Sequence, residues 1–367
     1  MALCSRRGSK KVKRNIIAAD IFSGGGGLTV GLKAAGIKVA AAVEFNAHAV
    51  ATYRQNHREV ITFQSDVREI SGDELCNASA TGQIDILAGC PPCQGFSSLT
   101  TKYKRNDPRN DLILEFVRLA EEIRPTCIMM ENVPGLVTKG KQYLEEACAR
   151  LESAGYIISK KVLQVADYGV PQSRRRFVLL AGLGFEIPIP EPTHSRNGQA
   201  GKQKWRTVAD VIKGLPKPMI LQDTLNRGGP SAFNWHVVRN ISEENRKRLA
   251  STRPGASRAS LPTDLRPACH ANDNKGFTNV YGRMSWCEPS PTITAGCTTL
   301  SKGRFGHPSQ LRTISLREAA LLQTFPDSYQ FATNHMEHAC SIVGNALPCD
   351  FARALALQCV KYVKQPH

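Results

Sequence analysis

Between residues 16 and 184 short apolar runs alternate with longer stretches in which apolar residues recur every three or four positions. Ile16-Ile17-Ala18-Ala19-Asp20-Ile21-Phe22 is apolar but for one acid and predicts a buried strand. The four glycines at 24–27 then turn the chain into a helix that ends near Gly36. Further strands are predicted at 38–43, 84–88, 127–130, 157–165 and 176–181, with helices at 111–123 and 142–154. Strands at this spacing with helices between them build right-handed βαβ units. The pattern therefore predicts an α/β fold, an open and mostly parallel sheet with helices on both faces.

The rhythm breaks after Gly184. Residues 185–311 are rich in Pro, Gly, Ser, Asn and Arg and hold few long apolar runs. This stretch is too long for a loop inside a compact domain and predicts a second, smaller domain. Regular patterning returns at 315–325, a helix opened by Ser315 with Glu318 at capping-box spacing, and at 346–363, a closing helix.

Charge sharpens this division. The chain of 367 residues carries 48 Lys and Arg against 31 Asp and Glu, a net charge of +17. Residues 185–311 hold 18 of the basic residues and 9 of the acidic ones, about twice the positive density of the remainder. Such an excess predicts a polyanionic partner, and nucleic acid fits better than a membrane because no amphipathic anchor is evident. No apolar run approaches the ~20 residues that cross a bilayer. The N-terminal MALCSRRGSKKVKRN is basic without an apolar core, so it is not read as a secretory signal. The twelve cysteines are then expected to be reduced thiols in a cytoplasm. Hydrophobic residues at 41% and charged residues at 22% exclude a disordered or fibrous chain.

The glycine turn sits where a first strand meets a first helix, a place where the backbone can approach a ligand closely. A dinucleotide fingerprint needs a third glycine at position 29 or 30, and these are Thr29 and Val30. A nucleoside ligand without a pyrophosphate remains. Glu44 ends the second predicted strand, where an acid can accept ribose hydroxyls, and Asp66 follows a third strand expected before the one at 84–88, within reach of an adenine amino group.

Gly89-Cys90-Pro91-Pro92-Cys93-Gln94 follows the fourth predicted strand, at the sheet edge where open α/β folds place their sites. Three readings of Cys93 compete: a buried thiol in a stiff loop, half of a zinc or redox pair, or a nucleophile held rigid by two prolines. A zinc site needs a second closely spaced pair, and the sequence has no other C-x-x-C. A free cysteine of pKa ~8.5 is only about 3% thiolate at pH 7, so a nucleophile here needs activation by its surroundings.

At this point the chain resembles the DNA (cytosine-5)-methyltransferases. The turn at 22–27 and Pro92-Cys93-Gln94 are followed in family order by Glu131-Asn132-Val133 and Gln172-Ser173-Arg174-Arg175-Arg176. Arg317-Glu318 with Leu322-Gln323-Thr324-Phe325-Pro326 and Gly344-Asn345-Ala346-Leu347-Pro348 complete the set. Cys349 departs from it, standing where a second proline is common.

The resemblance implies a class I S-adenosylmethionine-dependent methyltransferase fold, Rossmann-like, over 15–184. It also implies a target-recognition domain for DNA at 185–311 and a return to the catalytic domain at 312–364. Cys93 would attack C6 of a cytosine swung out of the duplex, and Glu131 would hydrogen-bond N3 and the exocyclic amine. Arg176 would reach the base O2, and Arg174 the target phosphate or the active-site loop. The cofactor would be S-adenosylmethionine, leaving as S-adenosylhomocysteine, with no metal. Phe22, Ser23, Gly24, Gly26, Gly27, Glu44, Asp66, Val67, Pro92, Asn345 and Ala346 would bind it. The partner would be double-stranded DNA, with no membrane, and the chain would act as a monomer in a prokaryotic cytoplasm, associated with the nucleoid. A cognate restriction endonuclease would be a partner in function and not in a stable complex, unless the chain is a solitary methylase. An RNA-acting branch with a similar Pro-Cys-Gln loop, an inactive DNA-binding paralogue, and a zinc or redox protein stay open as alternatives.

Overall fold

The computed structural model describes residues 15–92, 111–267 and 278–364. Its centre is a seven-stranded sheet in the order β3-β2-β1-β4-β5-β7-β6. The strands are β1 (Ile17–Ile21), β2 (Lys38–Val43), β3 (Ile61–Phe63), β4 (Ile86–Gly89), β5 (Cys127–Asn132), β6 (Tyr156–Gln164) and β7 (Arg175–Leu183). Strands β3 to β5 run parallel, whereas β7 lies antiparallel to both β5 and β6. Because β1 is flanked by β2 on one side and β4 on the other, the strand order reverses there. In open α/β sheets such a reversal places the ligand site at the carboxyl ends of those strands.

The sheet is buried on both faces, and β1 shows how. Ile17, Ala19 and Ile21 enter one core, and Ile16 and Ala18 the opposite one, as the two-residue period of a strand requires. The first core is closed by α3 (Gly72–Asn77), α4 (Leu112–Ile123) and α5 (Lys141–Ser153). Helix α4 places Leu112, Ile113, Phe116, Val117 and Ala120 on one stripe, the spacing that buries a helix face. On the other face lie α1 (Gly27–Ala34) and α2 (Ala47–Asn56), the latter contributing Tyr53.

Residues 185–311 contain short elements: α6 (Ala209–Ile212), α7 (Leu221–Thr224), α8 (Glu243–Ser251) and two-residue ladders such as Met219–Ile220 with Val237–Val238. The chain then forms α9 (Leu316–Leu322), α10 (Met336–Asn345) and α11 (Cys349–Val363). A third core joins Trp235, Val237, Met284, Ile293 and Phe305 to Leu316, Leu322, Phe325, Met336 and Val343. The boundary expected at 311/312 therefore has one hydrophobic core on both its sides. Helices α9 and α10 pack with the middle segment, and α11 alone returns to the sheet through Phe351, Leu355 and Cys359.

Two local expectations differ from the structure. The closing helix starts at Cys349 rather than 346, because Pro348 holds extended backbone and serves as its N-cap. Helix α9 ends at Leu322, and Thr324 turns out of it at φ 60°.

Candidate active site

Strand β1 delivers the chain into the turn at 22–27 under constraint. Phe22 sits at φ 60°, an unusual value for a residue with a side chain, and it is half-buried against the first core. Gly24 follows at φ 54°, and a Cβ there would meet nothing within 4 Å, so open space lies above it. Gly26 caps α1 at φ 92°, where a Cβ would fall 2.5 Å from Tyr329 Oη and 2.6 Å from His57 Nε2. Only glycine fits between those two rings.

The rings belong to a relay that fixes the turn. Tyr329 donates its hydroxyl proton to the Gly25 carbonyl, and His57 Nε2 lies 3.1 Å from the same hydroxyl. His57 Nδ1 faces Lys33 Nζ at 2.8 Å, so the ring is the neutral Nε2–H tautomer, accepting from the lysine. Burial, with the nearby Lys33 charge, pushes the His57 pKa down to about 4 and keeps it neutral.

On the β2 side, Glu44 reaches back across the turn. The Gly24 N–H donates to its Oε2 at 2.9 Å and the Asn46 N–H to its Oε1 at 2.7 Å. Burial raises its pKa against those bonds. Next to it Phe45 is 74% exposed, a large apolar ring left open among the described residues. Asp66 precedes the short turn Val67–Glu69 and is half-buried. It caps that turn, accepting from the Arg68 N–H at 3.0 Å, and pairs with the Arg68 guanidinium at 3.1 Å. Val67 is buried in the first core.

The last motif meets the turn from the opposite side. Ala346 Cβ and the Leu347 carbonyl lie 3.2 and 2.8 Å from where a Cβ on Gly27 would stand. Asn345 ends α10 exposed, and its amide donates to Ser341 Oγ at 3.2 Å.

At the ends of β4 and β5 the reactive groups converge. Cys93 lies outside the described residues, but the loop leading to it is anchored. Asn132 Nδ2 donates to the Pro91 carbonyl at 3.1 Å, while Asn132 Oδ1 accepts from the Val133 N–H at 2.7 Å. Pro92 follows half-buried. Glu131, one residue before Asn132, is 7% exposed and faces Arg176 on β7, Nε to Oε1 at 2.6 Å. This is a close contact of opposite charges. Cys90, beside them, is pushed well up in pKa by burial and by the carboxylates of Glu131 and Asp20, so its thiol stays protonated. It is a poor nucleophile here.

Arg174 is placed away from one of its two expected partners, the target phosphate, and the other, the active-site loop, lies outside the described residues. Its guanidinium is 4% exposed and turned inward, donating to the Ile293 carbonyl at 2.8 Å and the Gly344 carbonyl at 3.4 Å. A group buried against backbone carbonyls ties β7 to the middle segment and to α10. It does not present itself to a phosphate from this position.

Sequence reasoning passed over four residues that shape this edge: Asp20, Phe45, Asn132 and Tyr329. Asp20 had a visible signal, being a charge inside an apolar strand, and Asn132 stood in a recognised motif. Tyr329 gave none, because it reaches the turn across 304 positions of chain.

The polar groups around the turn suit a nucleoside carrying a cationic tail. Among the described residues Asp20 Oδ1 and Ser23 Oγ are buried beside the turn without a hydrogen-bond partner, Gly24 opens onto free space, and Glu44 accepts from the Gly24 N–H on the β2 side. Among the described residues no group of three or more His, Cys, Asp or Glu is placed to hold a metal ion. None of the described helices is long and apolar enough to cross a membrane.

Comparison with known proteins agrees with this arrangement. The family model of C-5 cytosine-specific DNA methylases matches residues 16–361. The chain is 37% identical to the Type II methylase M.HgiDII of Herpetosiphon aurantiacus, over 95% of this chain and 96% of that one. It is 34% identical to the Type II methyltransferase M1.HphI of Haemophilus parahaemolyticus, over 92% and 84%. Among solved structures, a DNA modification methyltransferase encoded within an E. coli prophage superposes with a TM-score of 0.71 at 24% identity, covering 96% of this chain and all of that one. The S. pombe Dnmt2 methyltransferase superposes at 0.64 and 17% over 96% of this chain and all of its own, and both likenesses speak for the fold. The fold is that of a class I methyltransferase, and the chain belongs to the C-5 cytosine-specific DNA methylases, enzymes that methylate cytosine in DNA in a sequence-specific manner.

Proposed function

We propose that the methyl donor is S-adenosylmethionine, bound over the glycine turn, and that Cys93 is the nucleophile that activates the cytosine. What supports this most is the convergence of the Glu131–Arg176 pair and the anchored Pro91-Pro92 loop on one edge of the sheet, next to the turn. The cofactor supplies an electrophilic methyl group on a sulfonium. Glu44 holds its ribose hydroxyls, Phe22 and Phe45 flank its adenine, and Val67 and Asp66 border the adenine edge. Asp66 must share its carboxylate with Arg68 to serve there. Ser23, Gly24, Gly26, Gly27, Pro92, Asn345 and Ala346 close around the methionyl end.

C5 of cytosine is too electron-poor to take a methyl group unaided. Addition of the Cys93 thiolate to C6, with Glu131 hydrogen-bonded at N3, pushes electron density onto C5. After C5 has been methylated, loss of its proton and elimination of the thiolate restore the ring and free Cys93. Arg176 orients Glu131 and supplies a donor for the base O2. The base has to leave its stack, at a cost of a few kcal/mol. Basic groups of 185–311 offset that cost by holding the flanking DNA backbone and reading base edges. The biological partner we infer is a restriction endonuclease of the same target sequence.

The test uses the full chain, labelled S-adenosylmethionine and duplex DNA. Methyl incorporation should vanish in Cys93→Ala, and a duplex with 5-fluorocytosine at the target should trap a covalent adduct on the 89–94 peptide. Undiminished transfer by Cys93→Ala, or an adduct on another peptide, would falsify the assignment.

A further inference from the structure

Strand β5 lies between β4 and β7, so a residue near its carboxyl end has one neighbour on each flank. Ile86 and Ala88 of β4, Cys127 and Met129 of β5, and Val178 and Leu180 of β7 all enter the core on the α1 face. The two-residue period carries Cys90, Glu131 and Arg176 onto that same face, and Cys90 packs against that core. Gly89 pairs with Met130, which sets the next residues, Cys90 and Glu131, side by side. The Cys90 S–H donates to the Glu131 carboxylate, and the Cys90 N–H donates to the Ile21 carbonyl at 3.3 Å, which fixes the backbone that carries the thiol. Glu131 thus stands between a guanidinium on the β7 side and a thiol on the β4 side.

The methyl-transfer steps given above do not use this thiol. Burial and the charges of Glu131 and Asp20 keep its proton in place, so it serves neither as nucleophile nor as base. What a protonated thiol retains is one weak donor. A carboxylate gripped on one flank can still turn, because the last torsion of a glutamate is broad. We propose that Cys90 is a positioning residue, its S–H holding the Glu131 carboxylate on the β4 side while Arg176 holds it on the β7 side, aimed at the target base. The inference rests on the role of Glu131 proposed above and adds the second support that aim requires. A weak donor suits the task, since it restrains the carboxylate without competing strongly with the base for the same lone pairs.

The test combines steady-state kinetics of the full chain on duplex DNA with infrared spectroscopy. In Cys90→Ala, kcat should fall about tenfold, the share of one hydrogen bond to a charged group, with KM for both substrates within about twofold. Cys90→Ser, which keeps a donor of similar size, should recover kcat to within about threefold of wild type. The S–H stretch absorbs where other protein groups do not, and subtracting the Cys90→Ser spectrum isolates the Cys90 band. That band should lie below the frequency of a free thiol and move up in Glu131→Gln, where the acceptor loses its charge. Wild-type turnover in Cys90→Ala, equal loss in the alanine and serine variants, or a raised KM with kcat unchanged overturns the proposal. A Cys90 band that ignores Glu131→Gln overturns it even if Cys90→Ala folds poorly. Full activity in Glu131→Gln defeats instead the role given to Glu131, and does so whatever the Cys90 variants show.

Discussion

Gln172 and Gln323, 151 positions apart in the chain, share a buried hydrogen bond of 2.6 Å, Nε2 of the first donating to Oε1 of the second. Each glutamine also bonds backbone. Gln172 Oε1 accepts from the Ile293 N–H at 2.9 Å, and Gln323 Nε2 donates to the carbonyls of Val343 and Ala346 at 2.6 and 3.1 Å. One pair of side chains thus joins the entry to β7, the end of the middle segment, α9 and the end of α10. A hub of this kind is sensitive because removing one member leaves several buried groups unsatisfied.

Gln323→Leu should therefore destabilise the chain by about 2–4 kcal/mol, since two carbonyls and the Gln172 amide lose a partner at about 1–3 kcal/mol each before relaxation. Urea unfolding measures this. A loss under about 0.5 kcal/mol would mean that the hub relaxes freely and does not hold the segments together.

The Glu131–Arg176 pair is nearly buried, and its members are not interchangeable with neutral residues. Arg176→Met should cost about 3–5 kcal/mol by leaving Glu131 uncompensated. The double variant Arg176→Met with Glu131→Gln should recover much of that stability. Methyl transfer should fall at least a hundredfold in both. Recovery of stability without recovery of activity separates the structural from the chemical role. Activity restored in the double variant would contradict the proposed roles.

Gly26→Ala meets two obstacles at once, a backbone at φ 92° and the Tyr329 and His57 rings within 2.6 Å of the new methyl group. The backbone alone costs about 1–2 kcal/mol. Because the rings hold the Gly25 carbonyl, the turn should shift and cofactor affinity should fall more than tenfold. Binding measured by calorimetry at matched folded fraction checks this, and unchanged affinity would show that the turn tolerates displacement.

Acid should destabilise the chain through two buried imidazoles. Burial with Lys33 nearby holds His57 at about 4, and burial with Arg312 nearby holds His307 at about 4. Both lie below the usual ~6.5, so the unfolded chain binds protons that the folded chain refuses. That stability is complete above about pH 6.5 and is lost as pH falls towards 4. Asp20, raised by burial, works in the opposite sense, so the readout is a difference between wild type and variant. Between pH 7.5 and 5, His307→Gln should lose about 1–2 kcal/mol less than wild type. Parallel pH profiles would contradict the burial of that ring.

How much of this was legible beforehand depends on the range of the interactions. The strands at 38–43 and 127–130 and the helix at 111–123 were readable because apolar period and length are local properties, and the structure places elements there within two residues. The antiparallel placement of β7 between β5 and β6 was not, since a hairpin and a crossover strand carry the same apolar pattern. Helix α10 escaped for a related reason: its apolar face is short and acquires meaning only against α2 and α9.

The same division runs through the candidate site. Amino-acid order alone determined that a glycine turn, a Pro-Pro-Cys loop, Glu131 and three arginines would lie at strand ends, because turn chemistry and motif spacing are written in consecutive residues. Tertiary structure decided which arginine faces the acid. Arg176 meets Glu131, while Arg174, two residues away on the same strand entry, is consumed by the Ile293 and Gly344 carbonyls. It also decided that Asp20 would be fully buried and that Tyr329 would lock the turn. Burial, and the identity of the groups that share it, arises only when distant segments close on one another.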